Sequence, residues 1–276
     1  MFGIIVKVTE MEKDTNLSLS KLFHYTYSID NLLGILKDGF KIKYSLEKLG
    51  LFDNEENNLT DEFAIPMICF CDIPLNLVKQ HISVYGNFAI GLKKEWGEKQ
   101  AICPIIYLPK YGETKVLLEN AVRNINKNNN KIREIKNSLT NINQEMTMID
   151  VINFYDDFID FTMYVKPYIG NFERKTIGFN DPNYKFYDER EWRYKPNKRL
   201  CQSYMSKETF LSFSSSEERD KYLKVISFEK EDITDIVVPN ENIENVRNEI
   251  KKIAKFKDMD PNIIDSIENR IKNYSA

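Results

Sequence analysis

Between Thr114 and Lys166 the chain has neither glycine nor proline, and apolar residues return at alternating threes and fours: Leu118, Ala121, Ile125, Ile132, Ile135, Leu139, Ile142, Met146 and Ile149. That spacing puts them on one stripe of a long amphipathic helix, or of a helical hairpin broken near Asn128, Asn129 and Asn130. The other face is basic, with Arg123, Lys127, Lys131, Arg133 and Lys136, and reads either as a solvated face or as a docking surface for a partner or nucleic acid. A second, aromatic-rich helix is expected over residues 151–165. A helical block of this length divides the strands into two groups. That order predicts an α+β fold rather than a doubly wound parallel sheet.

Ahead of the block, residues 1–8 read as a first strand and Lys21–Thr26 as a short one. Ser28 and Asn31 then open a helix over Leu32, Leu33, Ile35 and Leu36, with Gly39 placed as its C-terminal cap. Residues 40–60 are expected as a surface loop. The apolar run 64–74, held between Pro66 and Pro74, predicts a buried strand. A helix over 75–84 is broken by Tyr85-Gly86, and strands follow at 88–92 and 101–108. Beyond the block, 167–183 reads as loop, and 222–228 and 233–238 as strands. Ile243, Val246, Ile250 and Ile253 mark a helix. Asp260-Pro261 opens another, with Ile264, Ile267 and Ile271 on its buried side. The resulting division is an α+β core over 1–114 and 167–240, a helical insertion over 115–166, and C-terminal helices over 241–276 packed on the core. No internal repeat is visible.

The 276 residues suffice for a substantial core, and 42% hydrophobic and 29% charged residues are ordinary for a soluble globular protein. A net charge of −3 supplies no global attraction to nucleic acid or anionic membrane. The N-terminus lacks the long apolar core and cleavage site of a signal peptide, and no stretch nears the ~18 apolar residues of a membrane span, so a cytoplasmic protein is expected. Cys69, Cys71, Cys103 and Cys201 follow no zinc or redox spacing, only two histidines are present, and all four cysteines are expected as reduced core residues without a metal.

The chemistry concentrates in residues 187–194, Tyr-Asp-Glu-Arg-Glu-Trp-Arg-Tyr, read as a loop entering a strand. At period two, Glu189, Glu191 and Arg193 share one face, while Arg190, Trp192 and Tyr194 take the other. Two carboxylates beside an arginine form either a salt-bridged patch or a catalytic edge. The chain has no dinucleotide fingerprint, phosphate loop, serine elbow or zinc-protease helix, which removes sequence support for those enzyme classes. His24 reads as a hydrogen-bonded core histidine or as a ligand contact, and His81 as structural. Asp72 reads as a helix cap or an active-site group. A His-bearing strand, a Tyr-Gly pair and a late Glu-x-Glu suit glycosidic chemistry, in which a carboxylate stabilises an oxocarbenium ion, histidine bonds a ribose hydroxyl and an aromatic ring stacks on the departing base.

Several of these segments resemble the AbiGi family, named for abortive phage resistance and described as an antitoxin. They are His24-Tyr25-Thr26 with Asn31-Leu32-Leu33, the Cys69-Phe70-Cys71-Asp72-Ile73-Pro74 run, Tyr85-Gly86 with Ile90-Gly91-Leu92, and Asp188 to Tyr194. The layout is also similar, more distantly, to ADP-ribosyltransferase folds, including DNA-modifying toxins with a His-x-Thr strand followed by an Asn-Leu helix. That resemblance implies split antiparallel sheets, a long helical insertion and a helical tail. It implies NAD as substrate and no metal. Glu191 would be the catalytic carboxylate, Glu189 the residue that orients or deprotonates the acceptor, and His24 the ribose contact on a strand with Tyr25 and Thr26. Tyr85 would stack on nicotinamide, and no arginine is assigned to the phosphates. The implied partner is a macromolecular acceptor, protein or nucleic acid. As a non-catalytic antitoxin or phage sensor, the chain would instead meet a cognate toxin or phage component.

Overall fold

The computed structural model describes residues 20–50, 62–74, 78–138, 150, 153–154, 156–197 and 203–272. The expected first strand at 1–8, and Cys201, lie outside them. In chain order the strands before the long helix are β1 (Lys21–Thr26), β2 (Phe40–Lys41), β3 (Lys43–Lys48), β4 (Glu62–Cys71), β5 (Phe88–Lys93), β6 (Cys103–Pro104) and β7 (Ile106–Leu108). After it come β8 (Val165–Pro167), β9 (Gly170–Arg174), β10 (Phe179–Tyr184), β11 (Glu191–Tyr194), β12 (Met205–Ser206), β13 (Val225–Ile226), β14 (Ile233–Val238) and β15 (Ile264–Ser266). The helices are α1 (Ile29–Asp38), α2 (Lys79–Tyr85), α3 (Lys94–Lys99), α4 (Glu113–Ser138), α5 (156–162), α6 (Lys207–Ser212), α7 (Ser216–Asp220), α8 (Ile243–Ile250) and α9 (Ile267–Lys272). The fold is α+β with several sheets. No helix among the described residues is long and apolar enough to cross a membrane.

The main sheet runs β15-β14-β5-β1-β4-β11-β6, with β3 and β12 also paired to β4. All these pairings are antiparallel except β14 with β15. One face carries Leu22, Phe70, Ile90 and Leu92 against Leu32 and Leu36 of α1, Trp96 of α3 and Val246 and Ile250 of α8. The other face carries two separate apolar clusters. Phe23, Tyr25 and Cys71 pack with Val78 and Ile267, while Ile65 and Met67 pack with Leu108, Val122, Met163 and Val165. Cys69, at the alternate position between Met67 and Cys71, belongs to neither cluster, and polar groups gather around it.

Local chemistry explains the elements that match expectation. Ser28 accepts the Asn31 N–H at the start of α1, and Gly39 ends it with φ +87°, a conformation that glycine takes without a Cβ penalty. The strand Ile233–Val238 coincides with its expected span.

Of the two readings of the glycine-free block, the described residues follow the long helix: α4 runs through Asn128–Asn130, because each asparagine costs a helix only about half a kcal/mol, and 139–149 lie outside the described residues. Other expectations are corrected. Residues 167–183 form a hairpin, β9 with β10, closed by a 3-10 turn and Gly178 in the left-handed region. Pro182 sits at the bulge of β10, where its missing N–H is tolerated. The expected loop at 40–60 contains β2 and β3, and 51–61 lies outside the described residues. Only Val225–Ile226 of 222–228 pairs as a strand, and 101–108 divides into β6 and β7, which join different sheets. The second helix stops at residue 162, since Val165 already pairs in β8. After Asp260-Pro261 comes a 3-10 turn, and Ile264 enters β15 beside Ile236 rather than a helix.

Candidate functional site

Lys166 and Arg193 join the two glutamates in a buried charge cluster. The chain leaves a 3-10 turn at Glu189, passes Arg190 in the left-handed conformation (φ +45°) and enters β11 at Glu191. Asp72 fastens that corner. Its N–H donates to the Arg190 carbonyl at 3.2 Å, and its carboxylate accepts from Arg190 at 3.3 Å and Lys94 at 2.9 Å. Asp72 is therefore not the cap of α2, whose N-cap position is Val78. The turn directs both glutamates to one side. Lys166 Nζ, from β8, donates to Glu189 at 2.7 Å and to Glu191 at 3.0 Å. The second oxygen of Glu191 accepts from Arg193 Nε at 2.8 Å, and Arg193 also reaches Glu47 of β3 at 3.3 Å. The second oxygen of Glu189 accepts from the Tyr85 hydroxyl at 2.5 Å, and Tyr184 bonds the same carboxylate.

These neighbours drive the two carboxylates apart. Burial opposes ionisation of Glu191, but Arg193 and Lys166 outweigh it and hold its carboxyl down at about 2. Glu189 is buried too and lacks the arginine, so burial prevails over Lys166 and its carboxyl titrates above the usual range. Burial works against the Lys166 ammonium, yet Glu189, Glu191 and Glu47 raise its pKa well above normal.

A gap in the sheet lies beside this cluster. β1 meets β4 through the pair Phe23–Cys71, and β3 takes the same edge of β4 from Met67 to Glu62. Ile68, Cys69 and Phe70 fall between the two partners. The Cys69 carbonyl accepts instead from Nδ1–H of His24 at 2.8 Å, so the imidazole stands where a strand N–H would be. His24 is half-buried, edge-on to Phe40 and Phe70 at 5.1 and 5.7 Å. Burial lowers its pKa, leaving a neutral ring with Nε2 as acceptor. Pairing of Phe23, Cys71 and Glu191 across three strands places His24 on the opposite sheet face from Glu191. Both nevertheless line one open cleft of about 1640 Å³.

The remaining expected residues distribute as follows. Tyr85 ends α2, where Gly86 (φ +98°) turns the chain against Thr26. Its ring lies 4.5 Å from that of His81, which in turn meets Tyr25 at 4.9 Å. Burial lowers the His81 pKa to about 3, so this imidazole is neutral. Tyr25 and Thr26 are buried, Tyr25 within an apolar cluster. Cys71 is core, as expected, but Cys69 and Cys103 are exposed, and all three are free. The Cys69 side chain is exposed to the cleft, yet the protein packed around it, with the nearby Glu191, raises its thiol pKa well above the ordinary value. No group of three or more metal-ligating side chains occurs among the described residues.

Sequence reasoning missed Lys166, Tyr184, Glu47 and Arg174. Lys166 closes the glycine-free block, inside the expected helical insertion 115–166 and one residue past the helix expected over 151–165. Arg174 ends β9, stacked 4.7 Å from Tyr27 and 5.2 Å from Tyr85, with Nη1 donating to the Val84 carbonyl at 2.9 Å.

The family described as "Putative abortive phage resistance protein AbiGi, antitoxin" matches residues 38–239. The chain belongs to the AbiGi family. A relative, "Abortive phage resistance protein AbiGi" from Lactococcus lactis subsp. cremoris, is 28% identical over 152 residues, which is 52% of this chain and 56% of the relative. The chain thus spans about half the length of the curated AbiGi relative it matches. No solved structure matches. The AbiGi match covers the charge cluster, the long helix and most of the residues lining the cleft, whereas the lining residues of β1 and α1, His24 among them, precede it.

Proposed function

We propose that this AbiGi chain acts in abortive phage resistance as an ADP-ribosyltransferase-like enzyme, transferring ADP-ribose from NAD to a macromolecular acceptor. The observation that carries the reading is the geometry of two buried carboxylates on one cleft, two residues apart, which share Lys166 while only Glu191 also meets an arginine. Paired groups whose environments separate their pKa values suit complementary acid–base roles. Glu191 stays anionic at every physiological pH, as a stabiliser of the ribosyl oxocarbenium must. Glu189, with its raised pKa, suits taking the acceptor's proton.

In this reading the glycosidic bond to nicotinamide breaks with its electron pair leaving on the nicotinamide nitrogen. An acceptor lone pair forms the new bond to the same ribose carbon, and Glu189 takes the acceptor's proton. His24 accepts a ribose hydroxyl through Nε2, on a strand shared with Tyr25 and Thr26. The Tyr85 ring packs against nicotinamide. The proposed core comprises 1–114 and 167–240, with 115–166 inserted and 241–276 packed on it; the cytoplasm is the proposed compartment.

A second reading is favoured by one observation: both oxygens of Glu191 are already engaged, by Lys166 and Arg193. In that reading the chain is a non-catalytic antitoxin or phage sensor that meets a cognate toxin or phage component. One experiment separates them. Labelled NAD is incubated with bacterial lysate and either wild type or Glu191→Gln, and phage protection is scored in parallel. Transfer of label by the wild type, falling at least about a hundredfold in the variant, supports the enzyme. Protection that survives in Glu191→Gln without any label transfer supports the antitoxin.

A further inference from the structure

We infer that Arg174 is the phosphate-binding residue of the cleft, and that the cleft takes a ligand of the nucleoside-diphosphate class. The inference deepens the proposed NAD reading and rests on it for the choice of ligand, but its geometry stands separately.

Arg174 is held in place without being neutralised. Its guanidinium lies over the rings of Tyr27 and Tyr85, and Nη1 donates to the Val84 carbonyl near the end of α2. The Tyr27 hydroxyl donates to the same carbonyl, which fixes that ring as well. No carboxylate pairs with Arg174 among the described residues. This contrasts with Lys166 and Arg193, which are committed to glutamates. The guanidinium has five N–H donors, and one accounts for Val84. The others remain on a half-buried side chain that lines the cleft. Contact with two aromatic rings and the Val84 carbonyl restrains the guanidinium and lowers the entropy lost when it clamps an oxyanion.

The surrounding charge favours the same ligand. The chain carries −3 overall, yet nine lysines and arginines against six carboxylates line the cleft. A recess whose charge is opposite to that of the whole molecule concentrates anions at its mouth. Arg174 also adjoins the aromatic series Tyr85–His81–Tyr25 running inward. An anionic clamp beside aromatic rings fits a ligand with a diphosphate joined to a flat heterocycle better than it fits a free inorganic anion.

The test is calorimetric titration of the full chain with ADP, NAD, pyrophosphate and adenosine, comparing wild type with Arg174→Gln and Arg174→Lys. Circular dichroism and thermal melting check that each variant is folded. ADP and NAD should bind about 10- to 100-fold more weakly to Arg174→Gln, the loss of a charge-assisted contact. Arg174→Lys should recover part of that loss, keeping the charge but not the fork. Adenosine should bind both forms alike. Equal ADP affinity in wild type and Arg174→Gln overturns the assignment while leaving the NAD reading standing. Binding of ADP that depends on Arg174, in a protein that transfers no label from NAD, keeps the assignment and removes the transferase reading. Failure of ADP, NAD and pyrophosphate to bind the wild type overturns the assignment.

Discussion

Glu191 and Glu189 are two residues apart and share a lysine, but their titrations affect stability in opposite directions. The Glu191 carboxyl is depressed from 4.5 to about 2, so its stabilisation is complete above 4.5 and is lost as pH falls toward 2. Glu189 is displaced upward, so its ionised form is a burden at neutral pH that protonation relieves. Glu191→Gln should therefore be less stable than wild type at pH 7, with the difference shrinking as pH falls through 4.5 toward 2. Urea unfolding at stepped pH measures it, and a pH-independent difference would contradict the ion-pair account. The pairing with Lys166 could not be read in advance. It joins residues 23 and 25 positions apart across separate elements, a link to which a local hydrophobic period is blind. By contrast, the common side taken by Glu191 and Arg193 followed from strand alternation, while Glu189 reaches that side through the turn at Arg190 and not through the strand.

At the level of elements, α2 is only Lys79–Tyr85, yet it carries His81 and Tyr85 to the cleft and supplies the Val84 carbonyl that anchors Arg174. Gly86 fixes its end. A Cβ there would lie 2.2 Å from the Thr26 carbonyl oxygen, at a φ that side chains rarely adopt. Gly86→Ala should cost about 2–4 kcal/mol and displace Tyr85 from Glu189. Thermal melting reads the first effect, and the ultraviolet titration of the tyrosines reads the second. Elements with strong punctuation were legible in sequence: Ser28 and Gly39 bracket α1, and Gly86 closes α2. The β9–β10 hairpin was not, because Asn171, Asn180, Asp181 and Pro182 carry loop chemistry, and a bulge absorbs the proline. β15 was hidden for another reason. Ile264, Ile267 and Ile271 satisfy a helical period, while pairing with β14 decides the conformation of Ile264.

For the whole molecule, the order of strands and helices was enough to predict α+β, since sheet-forming segments sit in groups around a helical block. It could not predict that α4 would share a core with the sheet through Val122, or that β4 would take two partners in succession along one edge. That succession has a mechanical consequence. We expect β1 and β3 to act as two jaws on β4: among the described residues β1 is stitched to it only by the Phe23–Cys71 pair and the His24 hydrogen bond to Cys69, and β3 takes the strand from Met67 to Glu62. Jaws so lightly stitched borrow stiffness from whatever lies between them. A ligand seated in the cleft should slow amide hydrogen exchange along both β1 and β3, well past the residues it touches, and mass spectrometry with and without ADP reads that difference. A rigid sheet would confine the protection to the contact itself. Protection spreading along both strands would make the sheet not only the wall of the cleft but the part of the molecule that registers its being filled.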